Sequence, residues 1–447
     1  MRSDLWIAAA IVVALMIVYN ANGREIGSYD SQPNKYAARE LLLRHTLSLN
    51  HVVGATPQLA DRPGFVVDRS GRIRSAYSPA PAVLAAAIAW PLWKSGLLDI
   101  RAPLAPSVMA VLAASLLTAL AVALAYLTAR DRTTRRRSVL LAAGLGLGTG
   151  FWSSISQTLW VHETAVLGIA MAVFAFAAPV ERIQRRGPIF IGLGLGLAGI
   201  ARSQLAPLIA VLLAGTVWRA GLRRTLVAVV MVGLAAGALM AIYLRWFGHP
   251  LGPLTTMVAL NNSIHDTRSP FHLGIDGFAG LLVSPNRGLL IFSPVVFVAL
   301  AGARAAVVDG WQSPLRWCAL AALAQYGLYS TYSVWWAGHT YGPRYLLDVL
   351  PVLVPLAAAT LARMRLRSAA GFAASAALVW SICVAATGAF YYPNDAWNTD
   401  PDEVDRDHGR LWSWSDSQIV RCWERGPSPQ NFTLFTREAW RVDKPGS

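Results

Sequence analysis

The chain has 447 residues, of which 55% are hydrophobic and only 14% are charged. Its mean hydropathy is +0.43, whereas an average soluble domain carries roughly 25% charged residues. A soluble protein of this length could not cover its surface with so few charges. The composition therefore excludes a soluble protein and predicts an integral membrane protein.

The formal net charge of +15 comes mostly from arginine, since only three of the 39 basic residues are lysines. Such a charge can indicate a nucleic-acid-binding protein. Fourteen of the arginines fall, however, in four short loops between apolar segments, and basic loops face the cytoplasm. Their positions predict membrane topology and exclude a nucleic-acid partner. They are Arg130, Arg132, Arg135, Arg136, Arg137, Arg182, Arg185, Arg186, Arg219, Arg223, Arg224, Arg363, Arg365 and Arg367.

Twelve segments are apolar enough, or nearly so, to cross a membrane. They run over 5–21, 79–98, 104–128, 138–156, 164–180, 188–202, 204–218, 225–246, 288–304, 316–332, 345–362 and 370–390. If all twelve cross and the N-terminus is cytoplasmic, the four arginine loops fall outside. If 79–98 lies in the interface instead, all four fall inside. Its three prolines and flanking tryptophans favour the interface.

We therefore predict an all-α polytopic membrane protein with about 11 transmembrane helices and a cytoplasmic N-terminus. The transmembrane domain spans 1–390 and includes an outer loop, 22–78, with juxtamembrane elements to about 98. A Trp-rich tail, 391–447, follows on the outer face. A third outer segment covers 247–287. The cytoplasmic loops are too short to hold an active site.

The first outer loop carries an acid, Asp30, about ten residues after the first span. An amphipathic stretch follows, with Leu41, Leu42 and Leu43 between Arg39 and Arg44. A carboxylate at the membrane surface could act as general base on a hydroxyl. It could equally cap the following helix. The residues alone leave both interpretations open.

Arginines also stand in three outer motifs, where they suit a phosphate ligand because the guanidinium binds phosphate bidentately. Arg74 ends the run RSGRIR at 69–74 and precedes Tyr77; anionic lipid headgroups are an alternative partner for the first two arginines of that run. Arg287 lies in SPNRGL at 284–289. Arg344 lies in WAGHTYGPRY at 336–345, which also holds Trp336, His339 and Tyr341. The aromatic residues could stack on a sugar or anchor helix ends at the interface.

Three polar residues lie at the outer ends of predicted spans. His162 and Glu163 join two apolar segments, and Arg202 ends another. Ionisable groups near membrane depth are functional candidates, but a structural polar contact between helix ends is an alternative for the His-Glu pair. Arg202 needs an anionic partner, either a protein carboxylate or a ligand phosphate.

The tail contains an acidic run at 400–407 and several tryptophans. The run lacks the DxDxDG spacing of a calcium loop, which favours a solvated loop. The tryptophans predict that the tail folds back onto the outer surface.

Together these features resemble the GT-C glycosyltransferases. The resemblance rests on a short first span, an early Asp in the outer loop, an amphipathic juxtamembrane helix and the YSPAP sequence at 77–81. It is nearest to bacterial relatives of protein O-mannosyltransferases and aminoarabinose transferases (glycosyltransferase family 39-like), in which motifs like those at 284–289 and 336–345 occur. Two positions depart from the pattern. The paired acids of the first loop are here Tyr29 and Asp30, with one carboxylate, and the usual basic residue just before the proline pair is replaced by Ala76-Tyr77-Ser78.

The resemblance implies an inverting hexosyl- or pentosyltransferase of the bacterial inner membrane. Its donor would be a polyprenyl-phosphate sugar, and its acceptor the hydroxyl of a glycan, lipid or protein on the outer side. Asp30 becomes the catalytic base. No cofactor is expected, and a metal is not expected because the second acid is missing. The residues assigned to binding of the donor phosphate are Arg74, Arg202, Arg287 and Arg344. Those assigned to substrate binding are Tyr77, His162, Glu163, Trp336, His339 and Tyr341.

Two other functions fit the composition. A transporter or flippase could pass an anionic lipid-linked glycan along Arg202, Arg287 and Arg344, but the sequence shows no internal repeat and its polar motifs cluster on one face. A membrane scaffold could use the Trp-rich tail as a partner surface. The position of Asp30 and the arginines favours the transferase.

Overall fold

The computed structural model describes residues 2–442, apart from the side chains of residues 184–186, which include Arg185 and Arg186. The chain is 68% helical. Within the described residues the regular strands are β1 (Phe65–Val67) and β2 (Ile73–Ser75), an antiparallel hairpin with Phe65 opposite Ser75. The all-α prediction is confirmed.

The helices follow one another with short connections. They are α1 (Arg2–Tyr19), α2 (Gln32–Arg44), α3 (Asn50–Ala55), α4 (Ala80–Lys94), α5 (Ala105–Arg130), α6 (Arg135–Leu147), α7 (His162–Phe176), α8 (Val180–Ala201), α9 (Ala206–Ala220), α10 (Leu222–Phe247), α11 (Leu254–Ile264), α12 (Ile275–Val283), α13 (Leu289–Phe292), α14 (Phe297–Leu300), α15 (Ala303–Val308), α16 (Pro314–Ser330), α17 (Leu350–Arg363), α18 (Ala369–Phe390), α19 (Gln418–Arg425) and α20 (Arg437–Trp440). Single 3₁₀ turns lie at Tyr29–Ser31, Pro57–Leu59, Ser203–Leu205, Pro294–Val296, Tyr345–Val349, His408–Trp412 and Thr433–Phe435, and a π-helical turn at Phe151–Ile155.

Six helical segments of the described chain are long and apolar enough to cross a membrane. They are Arg2–Tyr19, Ala105–Arg130, Ser203–Ala220, Leu222–Phe247, Tyr345–Arg363 and Ala369–Phe390. Shorter apolar helices cover Ala80–Lys94, His162–Phe176, Gly187–Ala201 and Pro294–Val308. The chain is thus a multi-pass membrane protein, while the count of eleven spans remains a prediction.

The ends of α1 and α5 lie close together, and this contact bears on the placement of α4. Asp4, in the first turn of α1, lies 3.0 Å from Arg130 at the end of α5 and 3.4 Å from Arg135. These two helices are therefore antiparallel, and the chain between them leaves and returns on one side of the membrane. With 15 residues, α4 is about 22 Å long, too short for a hydrocarbon core of about 30 Å. This arrangement agrees with the interfacial placement predicted for 79–98.

The four arginine loops gather on the face that holds the N-terminus. Arg182 lies 3.0 Å from Asp131, and Arg219 donates to the carbonyl of Ala178. Arg137 donates to the carbonyls of Ala362 and Met364, both at 2.8 Å. The opposite face carries 22–78, 247–287 and the tail, and we keep the name outer face for it.

Two predicted spans differ from the structure. The segment 138–156 is divided between α6 and the π-helical turn Phe151–Ile155. The segment 288–304 is divided among α13, the turn Pro294–Val296 and α14, and α15 follows. Pro294 has no N–H to continue the ladder of α13, and the non-helical backbone of Ser293 breaks the helix just before it. The continuous helix that we predicted there is wrong.

The tail folds back across the outer face. The backbone N–H of Leu434 donates to the carbonyl of Gly23 at 2.6 Å, and that of Asp99 donates to Trp440 at 2.8 Å. Trp397 is fully buried. The tail and the first outer loop therefore share one packed layer above the membrane helices.

Candidate active site

Asp30 lies on the 3₁₀ turn Tyr29–Ser31, immediately before α2. Its Oδ1 accepts a hydrogen bond from the Tyr77 hydroxyl at 2.9 Å, and its Oδ2 accepts one from Arg344 Nη2 at 3.2 Å. The side chain stays 38% exposed. It does not cap α2, whose N-cap is Ser31 without a side-chain hydrogen bond. The capping interpretation is therefore wrong, and the carboxylate is accessible from solvent.

Tyr77 reaches Asp30 because β2 and the following turn carry the chain back beside α2. Burial raises the pKa of its hydroxyl well above the ordinary value, and the charge of Asp30 adds to the shift. The hydroxyl is therefore a neutral donor over the whole physiological range. It fixes one carboxylate oxygen and leaves the other facing Arg344.

Arg344 immediately precedes the turn Tyr345–Val349 and lies between Trp160 and Ala337. Its guanidinium carbon is 4.5 Å from the centre of the Trp160 ring, and Nη2 also donates to the carbonyl of Ala337 at 3.0 Å. Its buried Nε has no hydrogen-bond partner in the part of the chain that the structure describes. A cation with an unused N–H beside an exposed carboxylate can receive an anionic ligand.

One turn beyond Arg344, Asp348 anchors a buried polar network. His162 Nδ1 lies 2.9 Å from its Oδ1, Arg202 Nε lies 3.1 Å from its Oδ2, and the Tyr329 hydroxyl donates to Oδ2 at 2.8 Å. Asp348 is fully buried. The anionic partner of Arg202 is thus a protein carboxylate, so its charge is compensated without a phosphate.

The sequence analysis missed Asp348, although one signal was present. It is an ionisable residue at the start of a predicted span, and such residues are functional candidates. Because His162, Arg202 and Tyr329 come from three other helical segments, only the fold shows that they share this acid.

Arg287 is fully buried, and every N–H of its side chain is occupied. It therefore has no donor left for a phosphate in this conformation, and it joins the 336–338 loop to the tail. Its acceptors are the carbonyls of Asn286, Trp336 and Gly338 and the side chains of Asn398 and Gln418.

Arg74 also lies apart from Asp30. Its Nε donates to Asp68 at 2.9 Å, and its guanidinium stacks on Trp246 at 4.6 Å. Among the four arginines assigned to phosphate, Arg344 is the one that the structure places beside the candidate base.

Two of the remaining predicted residues, Trp336 and His339, belong to a third group around Asp405. Trp336 Nε1 donates to Asp405 at 2.9 Å, His339 Nε2 lies 3.0 Å from it and His265 Nδ1 2.7 Å. Burial opposes ionisation of Asp405, but the two histidines and Trp336 outweigh it and hold its pKa well below the ordinary value. Asp405 is only 3% exposed, so the prediction of a solvated acidic loop is wrong at this residue.

Tyr341 and Glu163 lie in the interior. The Tyr341 hydroxyl donates to the carbonyl of Val384 at 3.0 Å, and its ring packs edge-on against Phe292. Glu163 is fully buried, and its Oε1 accepts from Thr164 at 3.3 Å. Their assignment to substrate binding remains a prediction.

The described residues bring together no group of three His, Cys, Asp or Glu side chains arranged to hold a metal ion. Asp30 itself is flanked by a tyrosine and an arginine instead of a second acid. The absence of a bound metal stays a prediction, and the mechanism proposed for this site uses the protein's own groups.

Comparison with known proteins gives structural likeness only. No protein-family model and no curated protein matches the chain. Its fold is similar to that of ArnT, the aminoarabinose transferase from Cupriavidus metallidurans, solved bound to undecaprenyl phosphate. The TM-score is 0.50 at 14% identity, over 97% of this chain and 77% of ArnT.

A second similar structure is the archaeal oligosaccharyltransferase AglB from Archaeoglobus fulgidus, in complex with an inhibitory peptide and a dolichol-phosphate. Its TM-score is 0.42 at 12% identity, over 95% of this chain and 60% of AglB. The likeness to ArnT covers nearly the whole chain and agrees with the resemblance drawn from the sequence motifs. The protein is therefore a multi-pass membrane protein with the GT-C fold.

Proposed function

We propose that the protein is a glycosyltransferase that moves a sugar from a polyprenyl-phosphate donor to an acceptor hydroxyl on the outer face of the bacterial plasma membrane. The observation that carries this proposal is the pair formed by Asp30 and Arg344. It joins a solvent-accessible base to a cation with an unused N–H, at the level where the first outer loop meets the membrane helices.

The reaction follows from these two groups. The acceptor oxygen attacks the anomeric carbon of the donor sugar, and the bond between that carbon and the phosphate oxygen breaks. Asp30 takes the acceptor proton. The departing polyprenyl phosphate carries the displaced electron pair, and Arg344 neutralises its charge. Attack opposite the leaving group inverts the anomeric configuration.

Arg344 suits this role because its position is fixed before the donor arrives. The Trp160 ring supports the flat face of the guanidinium, and the Ala337 carbonyl holds Nη2. A preorganised cation stabilises developing negative charge without reorganising during the reaction. The binding of undecaprenyl phosphate by ArnT supports a lipid-linked donor for a chain of this fold.

The orientation supports the same proposal. The N-terminus and the four arginine loops share one face, and the tendency of short basic loops to remain in the cytoplasm supports a cytoplasmic location for that face. Asp30 and Arg344 lie on the other side, where a lipid donor in the outer leaflet could reach them sideways from the bilayer.

The proposal is tested by Asp30→Asn in reconstituted vesicles supplied with a radiolabelled polyprenyl-phosphate sugar. We expect transfer to be abolished while binding of polyprenyl phosphate persists. Asp61→Asn is the matched control, since Asp61 is an exposed acid of the same loop. Unchanged transfer by Asp30→Asn rejects the assignment of the base. Lipid translocation without sugar transfer, insensitive to Asp30→Asn, supports a flippase instead.

A further inference from the structure

A cavity of about 370 Å³ opens on the outer face, where the 267–277 segment meets the 330–336 loop and the tail. This volume is within the range of small-molecule sites, roughly 300–1,000 Å³. Three of its lining residues are the aromatic Phe271, Trp335 and Trp412, and three are the polar Arg268, Asp276 and His408. None of these six residues belongs to the candidate active site.

Two of these aromatic side chains, Phe271 and Trp412, are exposed to solvent at the cavity, whereas Trp335 is buried behind them. Phe271 is 54% exposed and Trp412 is 37% exposed, although both are large apolar groups. Trp412 stands 6.0 Å from Trp335, ring centre to ring centre. Aromatic faces carry negative charge density, so they attract the polarised C–H groups on the apolar face of a sugar ring.

The polar side chains complement these rings. Arg268 and Asp276 are both exposed, and neither forms an ion pair with another residue in the described part of the chain. A guanidinium offers paired donors and a carboxylate offers paired acceptors, a combination that fits neighbouring hydroxyls on a sugar. The cavity thus combines stacking surfaces with charged hydrogen-bonding groups.

Backbone hydrogen bonds join the two segments that form the wall of the cavity. The N–H of His272 donates to the carbonyl of Thr331 at 2.6 Å, and the N–H of Ser333 donates to Pro270 at 3.1 Å. The Phe271 ring packs edge-on against Tyr332. An extended peptide would need an unpaired strand edge, and these bonds already occupy this edge. Saccharide is therefore favoured over peptide.

One short loop links the cavity to Asp30. Trp336 also lines the cavity, and the next carbonyl, that of Ala337, accepts from Arg344. Arg344 in turn holds Asp30. A ligand that contacts Trp336 is therefore one residue along the chain from Ala337, whose carbonyl holds Arg344.

We propose that this cavity binds the saccharide portion of the acceptor, so that the acceptor is a glycan or glycolipid; this rests on the proposed function. Phe271 and Trp412 stack on sugar rings, while Arg268 and Asp276 bind hydroxyls. The cavity selects the acceptor and does not take part in the chemistry.

The test measures binding of a panel of defined disaccharides, with glucosyl, galactosyl, mannosyl and arabinosyl members, to the purified full-length protein by saturation-transfer NMR. Phe271→Ala and Trp412→Ala should each weaken binding about tenfold, the scale of a lost aromatic contact. Trp414→Ala is the matched control: this tryptophan is 67% exposed in the same tail segment but does not line the cavity. It should leave binding unchanged.

Undecaprenyl phosphate binding, measured on the same samples, should be equal in all three variants and shows that they are folded. If no disaccharide binds, if Ser- or Thr-bearing peptides bind in their place, or if both cavity variants bind as tightly as the unaltered protein, the inference is overturned. Transfer that needs Asp30 but ignores both cavity variants also overturns it and leaves the proposed function standing. Disaccharide binding that needs Trp412, in a protein that transfers no sugar, supports a saccharide site and rejects the proposed function.

Discussion

Asp30 and Arg344 are 314 positions apart in the chain, yet Arg344 Nη2 lies 3.2 Å from Asp30 Oδ2. The contact joins the first outer loop to the start of a late membrane helix. It places a proton acceptor and a compensating cation against each other at a point open to solvent. Substitutions on each side of this contact should have different effects.

Arg344→Ala should lower sugar transfer by about 100- to 1,000-fold, because removing one preorganised group that stabilises developing charge costs roughly 2.7–4 kcal/mol. Arg344→Lys should recover only part of the loss, since an ammonium cannot span Ala337 and Asp30 as the planar guanidinium does. The measurement is kcat with labelled donor in vesicles. Arg406→Ala, at an arginine whose side chain is 80% exposed in the tail, is the control; a similar loss there would mean that net charge is responsible.

Tyr77→Phe removes the hydroxyl that orients Asp30. A hydrogen bond to a charged group contributes about 1.5–3 kcal/mol, so kcat should fall between about tenfold and 100-fold with little change in donor KM. Tyr29→Phe is a close control, since this tyrosine adjoins Asp30 but stacks on Arg62 at 4.3 Å. Equal activity of Tyr77→Phe and the unaltered protein would contradict the positioning role.

Asp348→Asn should destabilise the protein, because it leaves Arg202 without its buried counter-charge. Breaking a buried ion pair costs about 3–5 kcal/mol. We expect a lower melting temperature in detergent, followed by tryptophan fluorescence. Asp309→Asn, at an exposed acid, should melt like the unaltered protein. A double variant with Arg202→Met should lose less than the two single changes together; additive losses would argue against coupling.

Arg287→Lys tests whether this arginine binds phosphate or holds the tail. A lysine cannot reproduce the five occupied donors, so the tail should detach and residues 391–440 should become sensitive to protease. Undecaprenyl phosphate binding should be unchanged. If Arg287→Lys weakens undecaprenyl phosphate binding while the tail packs more tightly, the result supports the phosphate-binding role that the sequence predicted for Arg287.

Asp395 gives a pH-dependent prediction. Burial raises its pKa to about 6, against the opposing effects of Gln418 and Arg287. The unfolded chain has a value of about 3.9, so the folded state binds this proton more tightly, and the associated stability is lost as pH rises from about 4 through 6.

Asp395→Asn should therefore raise stability at pH 7.5, by about 2–3 kcal/mol for a shift of two pH units, and change it little at pH 4. Melting curves at the two pH values measure the difference. Asp402→Asn, at an exposed acid of the same tail, should show no such dependence. A gain of equal size at both pH values would exclude the ionisation of Asp395 as its cause.

The sequence alone was sufficient where a residue's role depends on its neighbours in the chain. Hydropathy located the long apolar helices, and loop charge grouped the four arginine loops on one face. The position of an early acid after the first span made Asp30 the predicted base. The prediction from the sequence was wrong at 288–304, where Pro294 interrupts an apolar run. Hydropathy measures partition into the membrane and does not measure backbone hydrogen bonding.

Roles that depend on distant partners could not be assigned from the sequence. Arg202, Arg287 and Arg344 each end or lie within an outer polar motif, yet Arg202 pairs with Asp348 and Arg344 contacts Asp30. The donors of Arg287 are all occupied, by three backbone carbonyls and by two side chains of the tail. Charge type and hydropathy are local properties, so the sequence determined a membrane protein with four arginine-rich loops on one face and the polar motifs on the other. Which arginine keeps an N–H for a ligand is set by the acceptors that packing brings within about 3 Å, and only the tertiary structure decided that.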